Sequence, residues 1–215
     1  MLCLAFDCSS LSMSIAIVDN KKILAQKNNF SSAKHSELLV LEIKDLLKNL
    51  NLNYKDIDIV ACTNGPGSFT AIRVALSVLK MIKIATNICC ITINSFEIIA
   101  NKYIFDNSIP INVAIKANSN EIYFTKYEVN NKKLITNIAP KILKIEDLPK
   151  YYDAKEQWCG SFAHDYNDFN LNLDDKISAS DVGFCAIKKY ENQDFKINIE
   201  PIYLLEPSVS LRKNN

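Results

Sequence analysis

The amino-acid sequence predicts an α/β protein of two unequal parts, and three observations carry that expectation. Residues 57–86, IDIVACTNGPGSFTAIRVALSVLKMIKIAT, read as strand, glycine turn and helix. The first half as a whole reads as three strands, then helix, strand, helix, strand, helix. A polar break at residues 106–110 then separates it from a second half of shorter apolar runs with one late helix.

Residues 2–6 are a short apolar strand ending at Asp7, and Ser9 and Ser10 begin a turn. Residues 14–18 are a second strand, and Asp19, Asn20, Lys21 and Lys22 turn the chain into a returning strand at 23–28. Ser31 and Ser32 are caps for a helix over 33–50, which Asn51, Asn53 and Asp56 end. An apolar strand over 57–61 runs into Asn64, Gly65, Pro66 and Gly67, which no helix or strand interior accepts. The chain holds only 4 Gly, and two stand in this turn, so backbone geometry is their expected purpose. Ser68 and Thr70 are candidate caps for a helix over 69–85. The turn is either a tight connection or a helix start whose N–H groups face an anion or a partner chain. A strand at 89–93 and a helix at 96–104, opened by Ser95, complete the half.

This element order is that of the ribonuclease-H-like unit in the actin and hexokinase group, the actin-like ATPase (ASKHA) fold. The expected division is 1–105 for an N-terminal ribonuclease-H-like domain and 106–215 for a smaller, degenerate C-terminal α/β domain. In the second part, 111–115 is a strand, and 121–129 pairs with 133–137 across Asn130 and Asn131. Residues 141–144 and 157–159 are further strands, Ser180 caps a helix over 181–190, and 201–205 is a last apolar piece.

The glycine turn fails the spacing of three catalytic loops. A P-loop needs Lys after the second glycine, where Ser68 stands. A dinucleotide loop needs a small residue three positions after Gly67, where Thr70 stands, and a hydrolase elbow needs a serine flanked two places away by glycines. A formal net charge of +1 gives no overall field to draw in nucleic acid. The seven cysteines (Cys3, Cys8, Cys62, Cys89, Cys90, Cys159 and Cys185) form no C-x-x-C pair and read as buried thiols of a reducing cytosol. Asp7 interrupts the first apolar run, so no signal peptide is expected, and no run approaches the roughly 18–20 apolar residues of a membrane span.

Both long helices carry more apolar residues than one buried face needs. In the first, Leu39, Ile43, Leu46, Leu47 and Leu50 share a face, while Leu38 and Leu41 fall among Glu42, Asp45, Lys48 and Asn49. In the second, the main face is Ile72, Val74, Ala75, Val78, Leu79, Met81, Ile82 and Ala85, while Phe69 and Leu76 lie beside Arg73, Lys80 and Lys83. Two right-handed crossovers put both helices on one side of the sheet as neighbours. The surplus then forms either a partner patch or ordinary scattered surface leucines. As a patch it selects Leu38, Leu41, Phe69, Arg73, Leu76 and Lys80 as partner-binding residues.

The start LAFDCSSLSMSIAI, the segment KHSELLVL, the turn NGPGSFTAIRVALSVLK and the closing PIYLL resemble the bacterial TsaB (YeaZ) family. The resemblance implies a scaffold, not an enzyme, in the synthesis of threonylcarbamoyladenosine beside the anticodon of tRNA. It implies a catalytic TsaD-type paralogue as partner, a TsaE-type ATPase joining the pair, a homodimer when alone, indirect contact with tRNA, and a cytoplasmic location without membrane. No cofactor is required on this reading, with ATP or ADP placed at the partner interface. The catalytic paralogue holds its metal with two histidines one helical turn apart; here His35 is followed by Leu39, and His164 is the other histidine, so neither a metal nor a catalytic residue is expected.

Asp7, Gly65, Gly67 and Ser68 are the nucleotide candidates, which serve the alternative reading, an actin-fold ATP-binding small-molecule kinase or ATPase. A nuclease of this fold needs converging carboxylates, but Cys62 and Thr63 stand on the fourth strand, and no Ser/His/Asp set supports a peptidase. The sequence departs from the family at Lys116, Asn118 and Asn120, where relatives usually show Asp, Arg and Gly, and in WCGSFAHDY, whose only glycine is Gly160. Those departures argue against a ligand in the domain cleft and leave the two helices untouched.

Overall fold

The computed structural model describes residues 1–10, 12–20, 22–29, 35–104, 109–162, 176–195 and 198–204. β1 (Leu2–Asp7), β2 (Met13–Asp19) and β3 (Ile23–Asn29) form an antiparallel meander. α1 (His35–Asn49) leads into β4 (Ile59–Thr63), α2 (Phe69–Thr86) into β5 (Cys89–Ile93), and α3 (Ser95–Asn101) follows. β4 joins β1 in parallel and β5 joins β4, giving the order β3-β2-β1-β4-β5. This is the ribonuclease-H-like order of the actin-like ATPase fold.

β1, β2 and β4 are buried on both faces, which is why they read as near-continuous apolar runs. On one face, Leu39, Ile43, Leu46 and Leu47 of α1 share a cluster with Ile72, Ala75, Leu79 and Ile82 of α2, over Leu4, Phe6, Ile17 and Val60. The handedness rule thus places both helices together, as expected. The other face is covered by Ile98 of α3 and by Ala179, Val182, Ala186 and Ile187 of α4 (Ala179–Glu191). Small residues permit that approach: a Cβ on Gly183 would lie 2.6 Å from Val18 Cγ2 and 3.3 Å from Ala5 Cβ. Although α4 belongs by sequence to the second part, it packs on the first sheet, whose second face it helps to cover.

The second sheet joins β6 (Ile111–Lys116), β7 (Glu121–Asn130), β8 (Lys133–Lys144) and β9 (Gln157–Cys159) in the order β8-β7-β6-β9. It repeats the order and strand directions of the first sheet, one strand short. Between β8 and β9 a 3-10 turn, Ile145–Lys150, stands where the first domain has α1. The aromatic core here is Phe124, Trp158 and Phe162 with Leu143 and Leu148. α3 connects the two sheets, burying Phe96, Ile99 and Ala100 against the second and Ile98 against the first.

Three local expectations are corrected. β8 is one strand, not two pieces, because Pro140 sits on an edge strand where the pairing slips between Lys126↔Ile138 and Phe124↔Lys141. α3 is capped by Asn94, whose Oδ1 accepts the Glu97 N–H at 2.6 Å, while Ser95 is its first helical residue. α4 is capped by Ser178, paired reciprocally with Asp181, while Ser180 lies inside the helix. The Ser31 and Ser32 caps lie outside the described residues. Among the described residues, no helix is long and apolar enough to cross a membrane.

Candidate partner-binding face

The turn from β4 into α2 is packed against the turn after β1. A Cβ on Gly67 would lie 2.3 Å from the Ser9 carbonyl oxygen, and the Ser68 N–H donates to that same oxygen at 2.8 Å. Gly65 takes φ of +104°, a conformation that favours glycine, and its carbonyl accepts the Ser95 N–H at 2.7 Å. Asp7 is fully buried; its Oδ1 accepts the Ser9 N–H at 3.1 Å and the Thr63 hydroxyl. The four nucleotide candidates therefore stand at two turns that are bonded to each other. Of the two readings of the glycine turn, the tight connection describes how Gly67 and Ser68 are used.

Residues 198–204 form a strap across this turn. Thr92 Oγ1 donates to the Asn198 carbonyl at 2.9 Å, Asn64 Nδ2 to the Glu200 carbonyl at 3.2 Å, and the Ile202 N–H to the Asn64 carbonyl at 2.8 Å. Ile199 is buried in the cluster of α1 and α2. The strap delivers Tyr203 to α2, with its ring 5.1 Å from that of Phe69 and its hydroxyl accepting Arg73 Nε–H at 2.7 Å. The Arg73 guanidinium carbon stands 3.8 Å from the Phe69 ring centre and 5.5 Å from that of Tyr203. The sequence presents 201–205 as an apolar piece and as part of the family resemblance, and the aromatic residue in PIYLL is the one signal of a contact with α2.

The outer faces of α1 and α2 carry the apolar surplus, with two corrections. Leu41 is 57% exposed and Leu38 is half-buried against the shared cluster. Leu76, expected outside, is only 3% exposed, whereas Met81, expected inside, is 48% exposed and Ile84 is 86% exposed. α1 lies beside α2, so the buried arc of α2 takes in Leu76 and releases Met81. Arg73 and Lys80 are exposed on that released side. Phe69, Thr70, Arg73, Val74, Ser77 and Val78 line a shallow groove of about 410 Å³ at the start of α2.

His35 is the first described residue of α1, and His164 lies outside the described residues. Among the described residues, no group of three His, Cys, Asp or Glu side chains could hold a metal. All seven cysteines are free thiols; burial pushes Cys90 up to about 11 and Cys185 up to about 12, and also raises Cys3, Cys8 and Cys62. In the second domain, Asn118 Oδ1 accepts the N–H groups of Asn120 and Glu121 at 2.9 and 3.0 Å, while its Nδ2 donates to Glu121 Oε2 at 2.7 Å. The divergent residues there close a turn on themselves. Gly160 also has no room for a side chain, since a Cβ would lie 2.0 Å from the Ala114 carbonyl oxygen.

The topology and this face define a two-domain protein of the actin-like ATPase fold, and a family model described as TsaD, tRNA N6-adenosine threonylcarbamoyltransferase, matches residues 23–195. The chain is 31% identical over 160 residues to the tRNA threonylcarbamoyladenosine biosynthesis protein TsaB of Buchnera aphidicola subsp. Schizaphis graminum, covering 72% of this chain and 75% of that one. It is 27% identical over 224 residues to TsaB of Buchnera aphidicola subsp. Baizongia pistaciae, covering 94% and 97%. The solved structure of YeaZ from Pseudomonas aeruginosa shares the fold, with a TM-score of 0.78 at 21% identity over 94% of this chain and 99% of that one. The chain belongs to the TsaB (YeaZ) family.

Proposed function

We propose that this chain is the non-catalytic scaffold subunit of the complex that makes N6-threonylcarbamoyladenosine in tRNA. It pairs through α1 and α2 with a catalytic TsaD-type paralogue, which transfers the threonylcarbamoyl group to the adenosine beside the anticodon. A TsaE-type ATPase joins the pair, tRNA is reached through the partner, and the assembly is cytoplasmic. Alone, the chain forms a homodimer. It needs no cofactor of its own; ATP or ADP, where it binds, sits at the partner interface.

The observation that carries this reading is the direct contact between the two turns. With Gly67 against the Ser9 carbonyl and the Ser68 N–H bonded to it, the turn that carries the nucleotide candidates is closed by this chain's own backbone. The test mixes the purified chain with its TsaD-type paralogue and follows both mass by sedimentation and modified adenosine by mass spectrometry of tRNA digests. A heterodimer is expected, with modification only when both chains, the adenylate donor and the ATPase are present. Calorimetry of the isolated chain with ATP and Mg²⁺ is expected to give no heat. A chain that stays single beside its paralogue, hydrolyses ATP alone or modifies tRNA unaided refutes the proposal.

A further inference from the structure

We propose that the second domain presets the first turn of α2 through the C-terminal strap, with Leu204 as the anchor on that domain and Tyr203 as the clasp on the helix. This deepens the proposed function and rests on the pairing stated there, because the clasped turn belongs to the face that α1 and α2 present. The clasp serves whichever chain covers that face.

The start of α2 has little of its own to hold it. Its N-cap, Ser68, makes no side-chain cap bond, and no acid stands in the first turn to meet the positive end of the helix. Phe69, Thr70, Arg73 and Ser77 are exposed along its first turns. A helix end of that kind opens locally more readily than the body of the helix, which Leu76, Leu79 and Ile82 hold in the core.

The strap holds this turn from outside. Tyr203 packs on Phe69 and accepts Arg73 Nε–H, while Arg73 lies over the Phe69 ring, so the side chains close on one another. Tyr203 is itself fixed on both sides. Before it, the Ile202 N–H donates to the Asn64 carbonyl, and the Ile202 carbonyl oxygen lies over Gly65, where a Cβ would stand 3.2 Å from it. After it, Leu204 packs against the cluster in which Phe96 of α3 meets Ile111 and Val113 of β6 and Tyr127 of β7. The line of contact therefore runs from the core of the second sheet to Leu204, to Tyr203 and on to the first turn of α2. Without it, a partner would have to order Phe69 and Arg73 as it bound, and association would carry that entropy cost.

The test reads amide exchange along α2 in the isolated chain and, in parallel, affinity for the TsaD-type paralogue. Leu204→Ala removes the anchor and leaves Tyr203, Phe69 and Arg73 in place. It should speed exchange at residues 72–75 about fivefold, leave residues 79–83 unchanged and weaken pairing about threefold. Tyr203→Ala removes the clasp and should speed exchange at 72–75 about tenfold. Leu204→Ala added to it should bring no further change, since the anchor acts through Tyr203. Leu204→Met refills the volume and should behave as the wild type. A merely structural loss would instead speed exchange throughout α2 and β4 alike. Unchanged exchange at 72–75, or equal acceleration along the whole helix, overturns this inference and leaves the proposed function standing. So do additive effects of the two variants, or local loosening with undiminished pairing. If the wild type itself fails to pair, both fall.

Discussion

Leu76 and Leu41 are the same side chain on adjoining helices, yet they should fail in different assays. Leu76 is 3% exposed in the cluster that holds Leu79, Ile82 and the α1 leucines. Truncation to alanine removes its transfer free energy and leaves a cavity that the two helices cannot fully close, so Leu76→Ala should cost about 3 kcal/mol. For a chain of this size each kcal/mol moves the melting temperature by roughly 2–4 °C, which gives a fall of about 6–12 °C. Leu41 is 57% exposed, so Leu41→Asp should change stability by less than about 0.5 kcal/mol. An aspartate in the centre of an apolar contact, however, should weaken pairing with the paralogue more than about tenfold. Urea denaturation of the isolated chain reads the first effect and titration against the paralogue the second. Loss of less than about 1 kcal/mol in Leu76→Ala would show that α1 and α2 are not packed as described. Unchanged pairing in Leu41→Asp would remove α1 from the interface.

Three further perturbations test the packing. Gly67→Ala should destabilise by about 2 kcal/mol, because its Cβ would stand 2.3 Å from the Ser9 carbonyl oxygen and force the two turns apart; a neutral result in denaturant melts contradicts the closed turn. Gly183→Ala should also destabilise, although alanine at an open helical site gains about 1 kcal/mol over glycine, and Val18→Ala in the same chain should relieve it; a more stable single variant refutes the α4 contact. Cys3 and Cys62 are fully buried and burial raises both thiols, so they stay protonated in the fold at a pH where the unfolded chain has ionised. The unfolded state then binds fewer protons, so stability falls as pH rises above about 9, with each protected thiol contributing a slope near 1.4 kcal/mol per pH unit. A Cys3→Ala/Cys62→Ala variant should show a shallower alkaline slope in melts taken across pH 8–10; an identical slope excludes them as its source.

The sequence made the first sheet legible because β1, β2 and β4 are buried on both faces and could hardly read as anything but strands. It made both helices legible as amphipathic, but not the roll of α2. A helical wheel separates apolar from polar arcs and contains nothing about which flank a neighbour will cover, so Leu76 and Met81 exchanged places. Caps were misplaced by one or two residues because runs of Ser and Asn offer several acceptors, and only the extended backbone of Asn94 and Ser178 selects between them. The Tyr203–Arg73 contact joins residues 130 apart, and no local pattern announces it. Asp7, Gly65, Gly67 and Ser68 stand at two neighbouring turns, and the Ser9 carbonyl that engages Gly67 and Ser68 leaves no mark in a one-dimensional pattern.

The dimensions of the two helices bear on why both are needed. α1 has 15 residues and α2 has 18, which at about 1.5 Å per residue are rods of roughly 22 and 27 Å. Each leads into a parallel strand of the same sheet, so they run side by side in one direction, with axes about 8–10 Å apart. One such rod offers an outer strip far below the roughly 800 Å² that each partner contributes to a stable interface; two adjoining strips approach it. Their contributions also differ in kind. α1 brings Val40 and Leu41 among mixed charges, while α2 brings Phe69, Met81 and Ile84 along a line of cations. Apolar area of that sort supplies affinity for many surfaces, and the cations of α2 favour a facing surface that carries acids. The same helix closes the core through Leu76 and Leu79 and leaves Arg73, Lys80, Met81 and Ile84 exposed on its other side.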